Sequence, residues 1–244
     1  MRASLTLLKR GAFTALFSWC ALGAIAVPTS ASAFDNSMAE RTRACTACHG
    51  EQGRAGPDGY YPRLAGKPAG YLYHQLQNFQ QGRRQYSLMQ GLIAPLSDEY
   101  LRAMAEHFAS LHIPYPPPAA ATATKDVLAK GKALVLEGDK ARQIPACAQC
   151  HGSALTGVSP AIPGLLGLPR DYLNAQLGGW QTGLRKAHAP DCMAAIAKRL
   201  SDEDVNAVSQ WLSSQPVPAN ATPATTLPAR PAGSLALPEC GSAP

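Results

Sequence analysis

Cys45, Cys48 and His49 stand in the run Cys45-Thr46-Ala47-Cys48-His49, and the same pattern returns as Cys147-Ala148-Gln149-Cys150-His151. Two thiols three positions apart reach the two vinyl groups on one edge of a porphyrin, and the histidine that follows lies under the iron. CxxCH marks covalent attachment of a c-type haem for that reason. Two haem c groups are therefore expected, held by Cys45, Cys48, Cys147 and Cys150, with His49 and His151 as axial ligands. A zinc site would want four ligands in paired sets, whereas each motif here is an isolated unit. A metal-bound imidazole also needs an acceptor for its other ring nitrogen. Pro62 and Pro163, 13 and 12 residues downstream, are positioned to offer their carbonyls. The competing reading is that these prolines only shape a loop.

The two motifs carry matching surroundings. Pro62-Arg63-Leu64-Ala65-Gly66 recurs as Pro163-Gly164-Leu165-Leu166-Gly167, and Tyr71-Leu72 and Gln75-Leu76 recur as Tyr172-Leu173 and Gln176-Leu177, all at an offset of 101. Leu96-Ser97-Asp98-Glu99 recurs as Leu200-Ser201-Asp202-Glu203 at an offset of 104. One domain has been duplicated. The repeat also bears on the sixth iron ligand, for which Met38, Met89 and Met104 are candidates in the first copy and Met193 in the second. Met89 and Met193 each stand seven residues before the repeated Leu, in segments read as loops leading into the last helix. A methionine is ordinarily a core filler, but the duplicated spacing points to Met89 and Met193 as ligands. His188, near Met193, is a rival without a counterpart in the first copy.

The elements that must position these groups read as helical. Leu72, Leu76 and Phe79, and at matched positions Leu173, Leu177 and Trp180, fall at i, i+4, i+7, one apolar stripe of a helix. Ser97 and Ser201 are good N-caps with acids in the first turn. The helices they open show Leu101, Met104 and Phe108, and Val205, Val208 and Leu212. A further helix is expected from about 125 to 137, and a shorter counterpart from 35 to 44. No alternating strand is evident. Pro114 to Pro118 and the Ala/Thr stretch to Thr124 read as a stiff linker. The expected division is 34–113 for the first domain, 114–124 for the linker, 125–214 for the second domain and 215–244 for a Pro/Ala-rich tail.

The N-terminus reads as an export signal. Arg2, Lys9 and Arg10 precede the 15 uncharged residues from Phe13 to Val27, a run short for a membrane span. Ala31-Ser32-Ala33 then predicts cleavage after Ala33 and a periplasmic location, with no transmembrane span in the mature chain. Cleavage lowers the formal net charge from +6 to +3, because three basic residues leave with no acidic one. That balance does not point to nucleic acid. Cys20 leaves with the signal, so Cys192 and Cys240 remain unassigned. An oxidising compartment favours a disulfide between them. Two free thiols, or a Cys192 thiolate on the second iron, are the alternatives. Arg83, Arg84, Arg185 and Lys186 occupy matched positions and suit either haem propionates or a solvated loop.

The order CxxCH, PxLxG, YLxxQL, a Met and then LSDE, all twice, resembles the tandem dihaem cytochromes of the cytochrome c-four family over residues 40–214. The resemblance implies an all-α fold of two class I cytochrome c domains, His49/Met89 and His151/Met193 as axial pairs, and two haems near the domain interface. It also implies a periplasmic electron carrier whose partners are redox proteins: a respiratory complex, a terminal oxidase or a dehydrogenase. Two other readings stay open. One is a cytochrome subunit of a dehydrogenase complex; the other is an enzyme of the thiosulfate dehydrogenase or dihaem peroxidase type, which would need a thiolate-ligated or an open iron.

Overall fold

The helix signals of the two copies resolve into two small helical cores in the computed structural model, which describes residues 35–56 and 59–243. The export signal, its cleavage after Ala33 and Cys20 lie outside the described residues. The first copy comprises α1 (Met38–Arg41), α2 (Arg43–His49), a 3₁₀ turn (Glu51–Gly53), α3 (Ala69–Gln80), α4 (Ser87–Ile93) and α5 (Asp98–Ser110). The second comprises α6 (Lys125–Leu136), α7 (Cys147–His151), two-residue strands β1 (Gly157–Val158) and β2 (Ile162–Pro163), α8 (Arg170–Thr182), α9 (Cys192–Ala197) and α10 (Asp202–Ser213).

The caps are those the residue types favour. The Ser97 hydroxyl accepts the Tyr100 N–H at the start of α5, and the Thr124 hydroxyl accepts the Val127 N–H at the start of α6. At α10 the Ser201 hydroxyl accepts the Asp204 N–H while the Asp204 carboxylate accepts the Ser201 N–H, a reciprocal capping box. Along α5, Leu101, Met104 and Phe108 are buried against Leu72 and Phe79 of α3. Val208 and Leu212 of α10 pack with Leu134 and Val135 of α6 and with Tyr172 and Leu173 of α8. Helices α6 and α10 cross closely because Gly131 has no side chain; a Cβ there would run into the Ala207 carbonyl.

Three features differ from the sequence expectation. The helix expected over 35–44 is broken at Thr42, whose buried hydroxyl bonds back to the Met38 carbonyl at 2.7 Å. Met89 and Met193 lie on the short helices α4 and α9, not in loops. Neither helix spans two full turns, so neither shows the periodicity a longer element would. A small antiparallel pair, β1 with β2, is present in the second copy. Strands of two residues are too short to show alternation, yet this pair shapes the turn that carries Pro163.

The linker after α5 is extended and is held by Arg63, whose guanidinium donates to the Ile113 and Pro114 carbonyls and lies over the Tyr115 ring at 3.9 Å. The tail lacks helix but is bound to the second copy. Ala224 exchanges backbone hydrogen bonds with Gly157 and Ser159, and the Gly241 N–H donates to the Pro190 carbonyl. From Asn36 onward the chain forms one compact unit, and among the described residues no helix is long and apolar enough to cross a membrane.

Asp204 ties α10 to α6 and to the loop before α7. It is fully buried, paired with Lys130 at 2.8 Å and with Arg142. Burial alone would raise its carboxyl. The hydrogen bonds from Arg142, Lys130 and the Ser201 N–H outweigh burial and hold it well below the usual carboxylate range. A carboxyl whose folded pKa is depressed stabilises the fold above the unfolded value, near 4, and loses that contribution as pH falls through the folded value. Asp204→Asn is expected to cost about 2–3 kcal/mol at neutral pH, since it removes a buried ion-pair partner and weakens a cap. Its destabilisation should shrink below about pH 4. Denaturant melts at pH 7 and pH 3 read both outcomes.

Candidate functional site

Both CxxCH motifs end a short helix. In α2 and in α7 the cysteines fall at i and i+3 and the histidine at i+4, so two sulfurs and an imidazole face the same way. Gly50 and Gly152 follow the histidines at φ +73° and +87°, the left-handed region open to glycine, and turn the chain toward the proline loops. His49 Nδ1 then meets the Pro62 carbonyl at 2.8 Å and His151 Nδ1 the Pro163 carbonyl at 2.7 Å.

These contacts orient each ring and assign its proton. With Nδ1–H given to a carbonyl, Nε2 is the nitrogen left to bind iron. Both imidazoles are buried, and burial is the largest influence pushing their pKa down. The proline carbonyls oppose it, while Arg84 at His49 and Lys67 at His151 add to it. The rings are thereby kept neutral, as a metal ligand requires. Burial also pushes the Cys45 and Cys150 thiols up, and Cys147 up to about 12. Among the described residues no group of three or more His, Cys, Asp or Glu side chains is placed to hold a free metal ion.

Met89 is half-buried against the first core and Met193 half-buried in the second turn region, each on the helix that precedes its LSDE segment. Met38 also packs at the edge of the first core and Met104 is buried within it. A pair of residues not singled out from sequence holds the methionine helices. Gln80, at the end of α3, donates to the Ile93 and Leu96 carbonyls at 3.2 and 2.9 Å. Gln181, at the end of α8, donates to the Ala197 and Leu200 carbonyls at 3.2 and 2.9 Å. The two glutamines are 101 apart, the spacing of the repeat, and that was the signal available.

The four matched basic residues separate into two kinds. Lys186 is exposed, and Arg83 donates to the Asn78 side chain at 2.6 Å and meets His188 Nε2 at 2.9 Å. His188 is thus engaged with the first copy, and its backbone N–H with Ser242. Arg84 and Arg185 lie on the join between the copies, where their backbones form an antiparallel bridge. Arg84 donates to Gln75 of its own copy at 3.1 Å and to Gln176 and Tyr172 of the other at 2.7 and 3.3 Å. Arg185 mirrors this with Gln176 at 2.6 Å, Gln75 at 3.0 Å and Tyr71 at 3.5 Å. Neither guanidinium has a carboxylate partner among the described residues.

The residues present fit a c-type haem in each copy. Paired thiols and an imidazole with free Nε2 are the donor set that group needs. In the second copy the Trp180 indole N–H is buried without a partner, with Arg185 stacked on its ring at 3.8 Å. Such donors suit an anionic propionate.

Comparison with known proteins agrees with this donor set. The cytochrome c family model matches residues 37–110 and 128–216. A thiosulfate dehydrogenase electron acceptor from Thiomonas intermedia is 39% identical over 176 residues, which cover 71% of this chain and 79% of that protein. Cytochrome c4 from Pseudomonas aeruginosa is 34% identical over 69% of this chain and 82% of its own length. Among solved structures, reduced cytochrome c4 from Pseudomonas stutzeri superposes with a TM-score of 0.63 at 28% identity, covering 72% of this chain and 96% of that one. Thiosulfate dehydrogenase TsdBA from Marichromatium purpuratum gives 0.65 at 30% identity, and covers 74% of this chain but only 39% of that longer one.

The protein is therefore a c-type cytochrome with two tandem class I domains. The chain belongs to the cytochrome c family, binds two haem c groups covalently and serves electron transfer, like the dihaem c4 cytochromes it is similar to.

Cys192 and Cys240 form a disulfide that brings residues 48 apart in sequence to a Cα separation of 5.0 Å. It ties the tail to the first residue of α9, next to Met193. Alkylation without reductant should leave both cysteines unmodified in mass analysis, and Cys240→Ser should cost about 4 kcal/mol on the chain-entropy model. Replacing Gln181 by Leu strips the Ala197 and Leu200 carbonyls of their side-chain donor. It is expected to lower stability by about 1–2 kcal/mol and to speed amide exchange across 191–200.

Proposed function

We propose that this chain is an exported electron carrier that takes single electrons from a thiosulfate-oxidising dehydrogenase and passes them to a downstream redox protein. Likeness to the thiosulfate dehydrogenase electron acceptors, at 39% identity over most of the chain, carries the choice of donor. In this proposal the chain is not itself the enzyme; it is cleaved after Ala33 and works in the periplasm. His49 with Met89 and His151 with Met193 are the proposed axial pairs, with Cys45, Cys48, Cys147 and Cys150 as attachment points and Pro62 and Pro163 as the carbonyls behind the histidines.

When bound, each haem supplies a one-electron iron couple, and the protein supplies the ligands and the field around it. His/Met ligation places such a couple in the upper range of cytochrome potentials. The Nδ1–H bonds to Pro62 and Pro163 fix the tautomer and plane of each imidazole, so the ligand field changes little between oxidation states. Gln80 and Gln181 anchor the chain just after each methionine helix, which keeps the thioether sulfur on station. Arg84 and Arg185 hold the two copies in one register, so the two sites keep a constant separation.

The match to 39% of the longer thiosulfate dehydrogenase TsdBA chain supports a closely related reading, in which a dihaem module of this kind works attached to the dehydrogenase instead of diffusing to it. Mixing the oxidised protein with a thiosulfate dehydrogenase and thiosulfate should reduce both haems. The rate should exceed, by at least tenfold, that of a monohaem cytochrome c control. Equal or slower reduction would overturn the choice of donor. The ferric spectrum should show the weak red band of Met–iron ligation at two-haem intensity, and Met89→Ala and Met193→Ala should each remove about half. A stable complex on co-purification would favour the docked form.

A further inference from the structure

We propose that Lys67 of the first domain is a potential-setting residue for the second haem: its ammonium, inserted into the loop behind His151, stabilises the ferrous state there. The inference rests on the dihaem assignment and is independent of which dehydrogenase is the donor.

Lys67 follows the first proline loop, but its side chain crosses to the second copy. Its Nζ donates to the Gly164 carbonyl at 3.1 Å. Gly164 directly follows Pro163, whose own carbonyl receives the His151 Nδ1–H at 2.7 Å. The ammonium is thus hydrogen-bonded to the turn that orients the proximal ligand of the second site. The contact belongs to a broader junction, since the Gly70 N–H donates to the Pro160 carbonyl at 2.9 Å and α3 packs against β2.

The charge at this position is desolvated. Lys67 is 5% exposed, and among the described residues no carboxylate pairs with it. The nearest charge acting on it is another cation, Arg63. Burial, with Arg63 adding to it, lowers the Lys67 pKa to about 8, so the side chain is mainly protonated at neutral pH. A buried unit charge acts through a low effective permittivity and is poorly screened by salt. A positive charge favours ferrous over ferric iron, because the reduced site carries one positive charge less.

The repeat makes this device one-sided. Lys67 lies 101 residues before Leu168, in the same register that matches Pro62 with Pro163 and Gly66 with Gly167. Leu168 is buried in the second core, so no second-copy ammonium reaches back toward Pro62. Arg84 and Arg185, by contrast, are matched between the copies and act on both. Arg63, another unmatched cation, turns its guanidinium to the linker carbonyls.

The test is potentiometry of the full dihaem protein, with the two haems followed separately through their haem methyl resonances in NMR. Lys67→Gln keeps a donor for the Gly164 carbonyl and removes the charge. It should shift the second haem's ferric/ferrous equilibrium toward ferric by about tenfold, while the first haem moves less than about twofold. Lys67→Arg should keep the second haem within about twofold of the parent. Lys67→Met, also neutral, should repeat the Gln result and replaces it should the Gln variant fail to fold. The proposal is overturned by an unchanged second haem in the neutral variants, by equal shifts of both haems, or by an Arg variant that behaves like Gln.

Discussion

Two guanidinium groups meet where the two copies join, without a carboxylate among the described residues to neutralise them. Arg185 is almost wholly buried and Arg84 half-buried, and like charges taken out of water are costly. Burial, and then the charge of Arg84, push the Arg185 pKa down. At Tyr172 burial pushes the phenol up, but the two guanidiniums outweigh it and draw the pKa below its ordinary value. The cost is offset as the terminal N–H groups of both guanidiniums find oxygens. Gln75, Gln176, Tyr71 and Tyr172 supply those oxygens when the copies meet in one register. A small sliding of one copy would strip several donors at once. The rest of the structure follows from that register, including which loops abut and which residues of one copy reach the other.

Around that near-symmetric centre the copies have diverged. The first keeps a short, broken helix before its haem motif. The second has a longer α6, locked to α10 through Asp204, and a tail tied by a disulfide beside Met193. Lys67 is a third difference, contributed by the first copy and felt in the second. Duplication gives two equal sites; the unmatched residues make them distinguishable to an electron and to a partner.

Much of this was legible in the sequence because duplicated spacing filters chance. One CxxCH or one methionine is weak, but the same residues at constant offsets, flanked by Ser caps and equal apolar stripes, define the helices and the donor set together. The expectation missed where the physics is not local. Arg84 and Arg185 read as haem partners or as a solvated loop; that each also binds a glutamine and a tyrosine of the opposite copy could not be read from spacing. Lys67 reads as an ordinary loop lysine until the junction brings it to Gly164. Helices α4 and α9 read as loops because six or seven residues cannot show a period of 3.6. The tail has no helix, as its prolines predict, and the Cys192–Cys240 bond expected from the spare cysteines holds it to the second copy.

The disulfide has a consequence for assembly. Cys45, Cys48, Cys147, Cys150, Cys192 and Cys240 are the cysteines of the described residues, and six thiols admit 15 complete pairings. Only the bond between the last two leaves both haem motifs reduced. Cys240 is also the last of the six along the chain, and it is the one harmless partner of Cys192. Correct maturation is thus a contest of rates. The motif cysteines must be capped by haem, or kept reduced, until Cys240 has claimed Cys192.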